Sequence, residues 1–407
     1  MRAINRQGGF MAEVPSGKNW ICAQIGAREH YLVPRAIADA GELGLFITDI
    51  WLPPSHPLAL TKRLAGRYHP ALSSTSVWAP NAQMLALEAQ SRLQRTDVIR
   101  RTMARNRLFQ REAVRRLEQI TDDAPRTLVA FSYACDQLFA YAKSRGWRTV
   151  LDQIDPAQAE ERLIQRLHPA DAIPHWPAAY WERWQVETTL ADVIVVNSDW
   201  TRQALVDQGV PSDKMCIIPL AYEGVTGSRA RHHYPARFDA GRPMRVLFLG
   251  QITQRKGLSP LFSAIQAIDH AVPIRFDFVG PTTMAIPDDI ASDPRVRFHG
   301  SKPHQVTGSF YEQADVFILP TYSDGFALTQ IEARTMGVPI ITSRHCAAIV
   351  RHGVNGLLLD DVSASAITSA LMHCLHNPAA LAMMAAAQED FPTVQSIGKA
   401  WTDVFDS

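Results

Sequence analysis

The sequence contains little of what marks several large classes of protein. Its 407 residues include only five cysteines, which lie far apart and show no C-x-x-C spacing, so neither a disulfide framework nor a cysteine zinc site is indicated. We interpret these residues as buried thiols in a reducing compartment. Basic and acidic residues nearly cancel, at 41 and 40, which excludes a surface of one charge sign, and we expect no nucleic-acid partner.

Long hydrophobic runs are also missing. No segment approaches the length of a membrane span, and residues 1–20 lack the apolar centre of a signal peptide. From these two absences we predict a cytoplasmic protein. No G-x-G-x-x-G motif follows the first predicted strand of either half of the chain, which disfavours a Rossmann oxidoreductase.

What the sequence does contain is a regular alternation of short apolar runs with helical patterns, which is typical of parallel sheets in α/β layers. In the first half the predicted strands are 20–25, 45–50, 127–131, 149–151 and 193–197, and the predicted helices include 31–40 and 137–144. In the second half the predicted strands are 245–249, 275–279, 296–298, 316–319, 339–342 and 356–358, with helices at 259–268, 304–312, 330–336 and 364–376.

Between the halves, residues 223–243 are rich in Gly, Arg, His and Pro and have little periodicity, as an interdomain linker has. We therefore expect an α/β protein of two Rossmann-like, doubly wound domains that face one another across a cleft. The first would comprise residues 1–223, with the segment 391–407 packing back on it, and the second residues 243–390. Ligands of such sheets bind outside the carboxyl ends of the strands.

The segment 323–332, Ser-Asp-Gly-Phe-Ala-Leu-Thr-Gln-Ile-Glu, places two carboxylates around the start of a predicted helix. A helix that begins near Ala327 would direct its free N–H groups into the cleft, where they could bind a diphosphate. Asp324 could accept hydrogen bonds from sugar hydroxyls, and Glu332 could bind a ribose diol. For the pair alone, a capping role for Asp324 and an ordinary exposed position for Glu332 would explain the residues equally well.

The longer pattern around this segment resembles that of the family 4 (group 1) retaining glycosyltransferases, E-G-F-G-L-x-x-x-E-A-x-x-x-G-x-P-V-I-x-S. The similarity extends to the Val-Leu-Phe-Leu-Gly-Gln-Ile-Thr-Gln-Arg-Lys-Gly segment at 246–257, to Phe-Val-Gly at 278–280, and to the turn at 353–359. The resemblance implies the GT-B fold, with a donor site for a nucleoside-diphosphate sugar in the second domain.

In that family a Lys and an Arg neutralise the donor diphosphate. Lys256 matches the first, whereas Gln251 stands where the Arg is expected, and Arg255 is a displaced substitute. The first acidic residue of the family pattern is Glu, and here it is Asp324. The resemblance assigns Asp324, Lys256 and Arg255 to catalysis. It assigns the following residues to donor binding: Gly26, Gly250, Gln251, Gly280, Gly300, Gly325, Phe326, Ala327, Leu328 and Glu332.

The acceptor half is less informative. Residues 25–30, Ile-Gly-Ala-Arg-Glu-His, follow the first strand and are similar to the glycine-rich loop G-G-x-E-x-H of the family. Arg28 and His30 either face the cleft or solvate the start of the helix. Many members carry a His after a middle strand, but this chain has Leu-Asp-Gln-Ile-Asp-Pro at 151–156. Asp152 and Gln153 are therefore acceptor-side candidates, and a turn role is the alternative.

Residues 92–116 carry nine arginines against two acidic residues in a helical stretch. With Lys62, Arg63 and Arg67, this segment either contacts anionic lipid head groups or a phosphorylated acceptor, or it is a solvated helix face whose arginine stems cover the core. The second interpretation is favoured because the arginines are spread around the helix. The first would place the protein peripherally on the inner face of the membrane.

The sequence thus predicts a retaining hexosyltransferase-type glycosyltransferase that moves a sugar from a nucleoside-diphosphate sugar to an acceptor hydroxyl, in polysaccharide or glycoconjugate biosynthesis. The acceptor would be a carbohydrate, a lipid-linked compound or a small molecule. The family implies no cofactor and no metal ion. Two alternatives stay open, a non-catalytic glycosyltransferase-like sugar-binding subunit and a GT-B sugar-nucleotide epimerase or hydrolase.

Overall fold

The computed structural model describes residues 18–61, 64, 66–168, 175–221, 233–387 and 390–406. Lys62 and Arg63 of the basic region, and residues 223–232 of the predicted linker, lie outside the described residues. Within the described part of the chain, no helix combines the length and the apolar character that crossing a membrane requires.

The first sheet contains seven parallel strands in the order β3-β2-β1-β4-β5-β6-β7. Their bounds are β1 Trp20–Gln24, β2 Leu43–Thr48, β3 Val77–Trp78, β4 Thr127–Phe131, β5 Arg148–Gln153, β6 Val193–Val196 and β7 Met215–Ile217. Apolar side chains alternate between the two faces of this sheet. Ile21, for example, packs in one core cluster and the next residue, Cys22, packs in another. Helices cover both faces, as a doubly wound sheet requires.

The helices of this half follow the strands in chain order. They are α1 Leu32–Asp39, α2 Asn81–Leu93, α3 Val98–Leu117, α4 Asp136–Ser144, α5 Gln158–Leu167, α6 Ala178–Leu190 and α7 Asp199–Val206. The arginine-rich stretch that we predicted as one helix is two helices, α2 and α3. Arg95 has a φ of 50° between them, and Asp97 caps the second by accepting from the N–H of Arg100 at 2.9 Å.

The second sheet has six parallel strands in the order β10-β9-β8-β11-β12-β13. The strands are β8 Met244–Leu249, β9 Ile274–Val279, β10 Val296–Gly300, β11 Val316–Leu319, β12 Ile340–Thr342 and β13 Gly356–Leu358. The helices are α8 Leu258–Ala267, α9 Asp288–Ser292, α10 His304–Gln313, α11 Leu328–Thr335, α12 Ala364–His376 and α13 Pro378–Ala386. One large apolar cluster unites this half.

The last helix, α14 Val394–Thr402, lies against the first sheet and not the second. Its Gly398 is in close contact with α1, because a Cβ atom there would come within 2.4 Å of the carbonyl oxygen of Ala36. Trp401 is buried in the same cluster as Phe46 of β2. The chain therefore returns to its first half after completing the second sheet. The two parallel α/β sheets expected from the alternation are confirmed.

Candidate active site

Two glycines end adjacent strands of the second sheet, and their backbones touch. Gly250 follows β8 with a φ of 150°, and Gly280 follows β9 with a φ of 143°. A Cβ atom on Gly280 would lie 1.9 Å from the carbonyl oxygen of Gly250, so only glycine fits at that position. This contact keeps the carboxyl edge of β8 and β9 free of side-chain bulk. Gln251 follows Gly250 and has an exposed side chain. Gly300 has a φ of 65°, and a Cβ atom there would meet none of the described atoms within 4 Å outside its chain neighbours.

Lys256 is presented by a tight turn beside the same edge. The turn ends at Gly257, which has a φ of 74°, and a Cβ atom there would lie 1.8 Å from the carbonyl oxygen of Pro320. Pro320 directly follows β11. The close approach therefore fixes Lys256 next to the loop that contains Asp324.

Lys256 and Asp324 form an ion pair in which both side chains are largely buried. Burial lowers the pKa of Lys256 to about 7, and the neighbouring Arg255 acts in the same direction, whereas the Glu160 carboxylate opposes the shift. The charge of this lysine therefore depends on the anions beside it. A lysine in such a site is suited to binding a ligand that brings negative charge.

The loop that carries Asp324 is docked on the first half of the chain. Ser198 Oγ donates a hydrogen bond to the carbonyl oxygen of Gly325 at 2.5 Å, and a Cβ atom on Gly325 would lie 2.4 Å from the carbonyl oxygen of Ile154. Gly325 is not among the residues with a positive φ. Its lack of a side chain thus serves the contact between the two halves.

Helix α11 begins directly after this loop. Its N-terminal cap is Ala327, which has a left-handed φ of 62° and no side chain that could bond the first helical N–H groups. Phe326 is buried and packs with Ile331, and Gln330 Nε2 donates to the carbonyl oxygen of Phe326 at 3.2 Å. The loop is therefore fixed by the core, while the first turn, starting at Leu328, is left uncapped and suited to an anion.

Glu332 lies in the second turn of α11 and is only 9% exposed. The hydroxyl of the buried Tyr311, from α10, donates a hydrogen bond to Glu332 Oε2 at 2.8 Å. The ordinary exposed glutamate that the sequence left open is therefore excluded. Tyr311 orients the carboxylate.

Arg255 is held by groups from both halves. Its guanidinium donates to the carbonyl oxygen of Ser323, and its Nε lies 3.4 Å from Glu160 Oε1 on α5. Burial raises the pKa of Glu160, while Arg255 has the opposite effect. Arg255 thus lies close to Lys256 and to the loop that carries Asp324, as a role in binding the donor diphosphate requires. In this conformation its guanidinium is paired with Glu160.

On the acceptor side, Gly26 lies two residues after the end of β1 and has a φ of 83°. Its N–H donates to Asp49 Oδ1 at 2.8 Å, and Asp49 also binds the guanidinium groups of Arg67, at 2.8 Å, and of Arg105. Burial alone would raise the pKa of Asp49, but Arg105, Arg67 and the Gly26 N–H together lower it. A buried carboxylate therefore connects the glycine loop to two arginines.

The residues after Gly26 have an unusual backbone conformation. Glu29, His30 and Tyr31 have consecutive positive φ values of 51°, 51° and 62°, a costly conformation for residues other than glycine. Arg28 and His30 are exposed, and the charge of Glu29 acts on Asp152 near the end of β5. Burial raises the pKa of Glu29 to about 7; burial and then the charge of Glu29 raise the pKa of Asp152 well above its ordinary value.

Gln153 is not brought to the cleft. It is fully buried, its Oε1 accepts from Trp184 Nε1 at 2.9 Å, and its Nε2 donates to Tyr133 Oη at 3.1 Å and to the carbonyl oxygen of Asp155 at 2.9 Å. These bonds occupy both ends of the amide. Gln153 therefore supports the neighbouring backbone in this conformation and has no free group for an acceptor.

Several residues that complete the site were not predicted from the sequence: Glu29, Asp49, Glu160 and Tyr311. Only Glu29 lay in a motif that we identified, and a match to the Glu of G-G-x-E-x-H could have revealed it. The other three are brought in by tertiary contacts. Within the described part of the chain, no group of three or more His, Cys, Asp or Glu side chains is placed to hold a metal ion.

Residues 243–377 match the family model described as Glycosyl transferases group 1. The solved structures of Anabaena Alr3699/HepE in complex with UDP and of sucrose-phosphate synthase from Thermosynechococcus elongatus share the fold. Their TM-scores are 0.63 and 0.62, at 13% and 17% identity, over 95% of this chain and 99% and 98% of theirs.

Curated relatives match at the sequence level. The amylovoran biosynthesis glycosyltransferase AmsK of Erwinia amylovora is 23% identical over 207 residues, which are 46% of this chain and 49% of that protein. The D-inositol 3-phosphate glycosyltransferase of Corynebacterium kroppenstedtii is 32% identical over 193 residues, 42% of each chain. The alignments span about half the length of these relatives.

The two facing parallel sheets define a GT-B protein. Its second half is similar to the group 1 glycosyltransferases, whose family model it matches over residues 243–377.

Proposed function

We propose that the protein transfers a sugar from a nucleoside-diphosphate sugar to an acceptor hydroxyl with retention of the anomeric configuration. The observation that carries this proposal is the grouping of buried Lys256, the uncapped start of α11 and the oriented carboxylate of Glu332 at one sheet edge. The first two suit a diphosphate and the third suits a ribose diol. Anabaena Alr3699/HepE, which shares the fold, has been solved with UDP and with UDP-glucose.

In the proposed reaction, the bond between the anomeric carbon and the diphosphate oxygen breaks while the acceptor oxygen bonds to the same face of that carbon. The acceptor proton passes to an oxygen of the departing diphosphate. Lys256 and the N–H groups of α11 stabilise the charge that develops on the leaving group, with Arg255 adding to them once the diphosphate displaces Glu160. Asp324, freed from Lys256 in the same exchange, accepts hydrogen bonds from the sugar.

We assign the donor to residues 243–390 and the acceptor to residues 1–223 together with the returning segment 391–407. The packing of α14 on α1 supports this division. The proposed stabilisation of the leaving group uses protein groups alone. Transfer should therefore persist in the presence of EDTA, and loss of activity that added Mg²⁺ or Mn²⁺ restores would contradict this part.

The test is a panel of nucleoside-diphosphate sugars offered to the full chain with and without a mixture of acceptors, read as release of nucleoside diphosphate. Release that depends on an acceptor supports a transferase. Release without an acceptor indicates a hydrolase, and interconversion of the sugar an epimerase. Binding without turnover under every condition would instead support the non-catalytic sugar-binding subunit.

Two variants test the site itself. Lys256→Ala and Glu332→Ala should each reduce turnover strongly, while Lys399→Ala on the exposed face of α14 should not. All three should remain folded at the assay temperature, because neither Lys256 nor Glu332 belongs to the apolar cluster of this half. Near-normal rates for both site variants would refute the assignment.

A further inference from the structure

A pocket of about 390 Å³ lies in the first half, between β2 and helices α2 and α3. Its lining includes Asp49 and Arg105, the residues that connect to the glycine loop. A guanidinium nitrogen of Arg105 lies 3.9 Å from where a Cβ atom of Gly26 would be. The pocket therefore opens beside the carboxyl end of β1, on the side of the cleft that we assign to the acceptor.

The charge of this pocket is positive. Asp49 has a fully buried side chain and binds both Arg67 and Arg105, so one carboxylate is shared between two guanidinium groups. Arg92 and Arg101 also line the pocket. Glu88 is the other acidic side chain among its lining residues. Four arginines thus face two carboxylates.

Arg101 is the informative member of this set. It is half-buried on α3, and within the described ranges it makes no ion pair with an acidic side chain. The preceding residue, Arg100, is by contrast 85% exposed and pairs with Asp97 at 3.3 Å. A guanidinium that is partly removed from water and not neutralised favours binding of an anion, and its planar fork fits a phosphate.

Most of the remaining lining of the pocket is apolar. It includes Ile50, Leu64, Met84 and Leu85, and Met84 is fully buried. A site with both cationic and apolar lining is suited to a ligand that carries a charged group on a hydrocarbon or sugar body.

We propose that this pocket binds the phosphoryl group of the acceptor, with Arg101 and Arg105 as its ligands. This inference rests on the proposed function, because it identifies the chemical class of the acceptor for the same cleft. Phosphate can reach the pocket in two forms, as a soluble sugar phosphate or as a lipid-linked phosphate, and both share the group that the arginines recognise.

The experiment measures binding to the full chain by calorimetry with three probes: inorganic phosphate, hexyl phosphate and hexyl glucoside. Hexyl phosphate should bind and hexyl glucoside should not. Arg101→Gln should weaken hexyl phosphate binding about tenfold or more, and Arg101→Lys should restore part of it. Arg100→Gln, which removes the same charge from the exposed side of α3, should leave the affinity unchanged.

The probes also separate the two sources of phosphate. If hexyl phosphate binds more tightly than inorganic phosphate, the apolar lining contributes to affinity, which indicates a lipid-linked acceptor. Equal affinities of the two probes indicate a soluble acceptor. The proposal is overturned if hexyl glucoside binds as well as hexyl phosphate, or if Arg100→Gln and Arg101→Gln weaken binding equally. A third outcome is that the protein does not bind hexyl phosphate but binds phosphatidylglycerol vesicles, and that Arg100→Gln and Arg101→Gln weaken vesicle binding equally. This outcome would show a membrane-contacting surface instead.

Binding of nucleoside diphosphates, measured on the same samples, reports on the donor site alone. If nucleoside diphosphates bind but hexyl phosphate does not, only the acceptor inference fails. If no nucleoside diphosphate binds, the proposed function fails, whatever the result with hexyl phosphate.

Discussion

The hydroxyl of Ser323 in the second half donates a hydrogen bond to Glu160 Oε2 in the first half, at 3.1 Å. The other oxygen of that carboxylate lies 3.4 Å from Arg255 Nε. Trp200 Nε1, also from the first half, donates to Ser323 Oγ at 3.2 Å. The two halves are thus joined through the loop that we assign to the donor sugar. Glu160 pairs with Arg255, which a bound diphosphate would also contact.

We expect Glu160→Gln to bind nucleoside diphosphate more tightly than the unaltered chain. The substitution keeps an oxygen that can accept from Ser323 but removes the negative charge that competes for Arg255. The two side chains are about one-fifth exposed, so the pair contributes about 1 kcal/mol, or about fivefold in affinity at low salt. Calorimetric titration measures this change. Glu182→Gln, on the exposed face of α6, is the control, and an unchanged or weaker affinity in Glu160→Gln would contradict the competition.

Tyr311→Phe should selectively reduce binding of ligands that have a ribose diol. The substitution keeps the ring in the core and removes the donor that orients Glu332 Oε2. We expect a loss of about threefold to tenfold in affinity for ribonucleoside diphosphates, which corresponds to one net hydrogen bond, and no change for 2′,3′-dideoxynucleoside diphosphates. Equal losses for both ligand series would mean that Tyr311 supports the fold and not the carboxylate.

The fold could be predicted from the sequence because its strands are continuous apolar runs buried on both faces of a sheet. Thr127–Phe131, Val316–Leu319 and Gly356–Leu358 have the predicted bounds, and β2 lies two residues earlier than expected. The two edge strands of the first sheet, Val77–Trp78 and Met215–Ile217, were missed. Edge strands this short leave no periodic signal.

The site was predictable only where its residues are close in sequence. Lys256, Asp324 and Glu332 lie in local motifs, and the helix that presents Glu332 begins at Leu328, next to the expected Ala327. Glu160 lies 163 positions from its partner Ser323, and Tyr311 lies 21 positions from Glu332. Such pairings depend on how helices pack across a sheet or a cleft, and nothing in the local pattern specifies them.

Binding of nucleoside diphosphate should be accompanied by uptake of a proton at pH 8. Burial lowers the pKa of Lys256 to about 7, so the neutral amine predominates above that pH before a diphosphate binds. A bound diphosphate favours the ammonium form and raises the pKa, so the lysine takes up a proton and the affinity falls as the pH rises above 7. Calorimetry in buffers with different ionisation enthalpies counts the protons.

Lys256→Arg is the matched control for this linkage, because arginine keeps its proton throughout this range. The variant should bind nucleoside diphosphate with little or no proton uptake and with a flatter pH dependence. The same uptake in both proteins would assign the proton to another group and would remove Lys256 as its source.

Gly257→Ala should destabilise the second half far more than Gly353→Ala. The two glycines have nearly the same backbone conformation, with φ values of 74° and 75°, so an alanine at either position costs about 1 kcal/mol for the left-handed conformation.

The two glycines differ in their surroundings. A Cβ atom at residue 257 would lie 1.8 Å from the carbonyl oxygen of Pro320, whereas none of the neighbouring atoms lies within 4 Å of one at residue 353. The clash should add about 2 kcal/mol and should also displace Lys256, so that urea denaturation and nucleoside diphosphate binding are both affected. Equal stability losses in the two variants would show that the backbone at Pro320 yields, and that the close approach does not position the lysine.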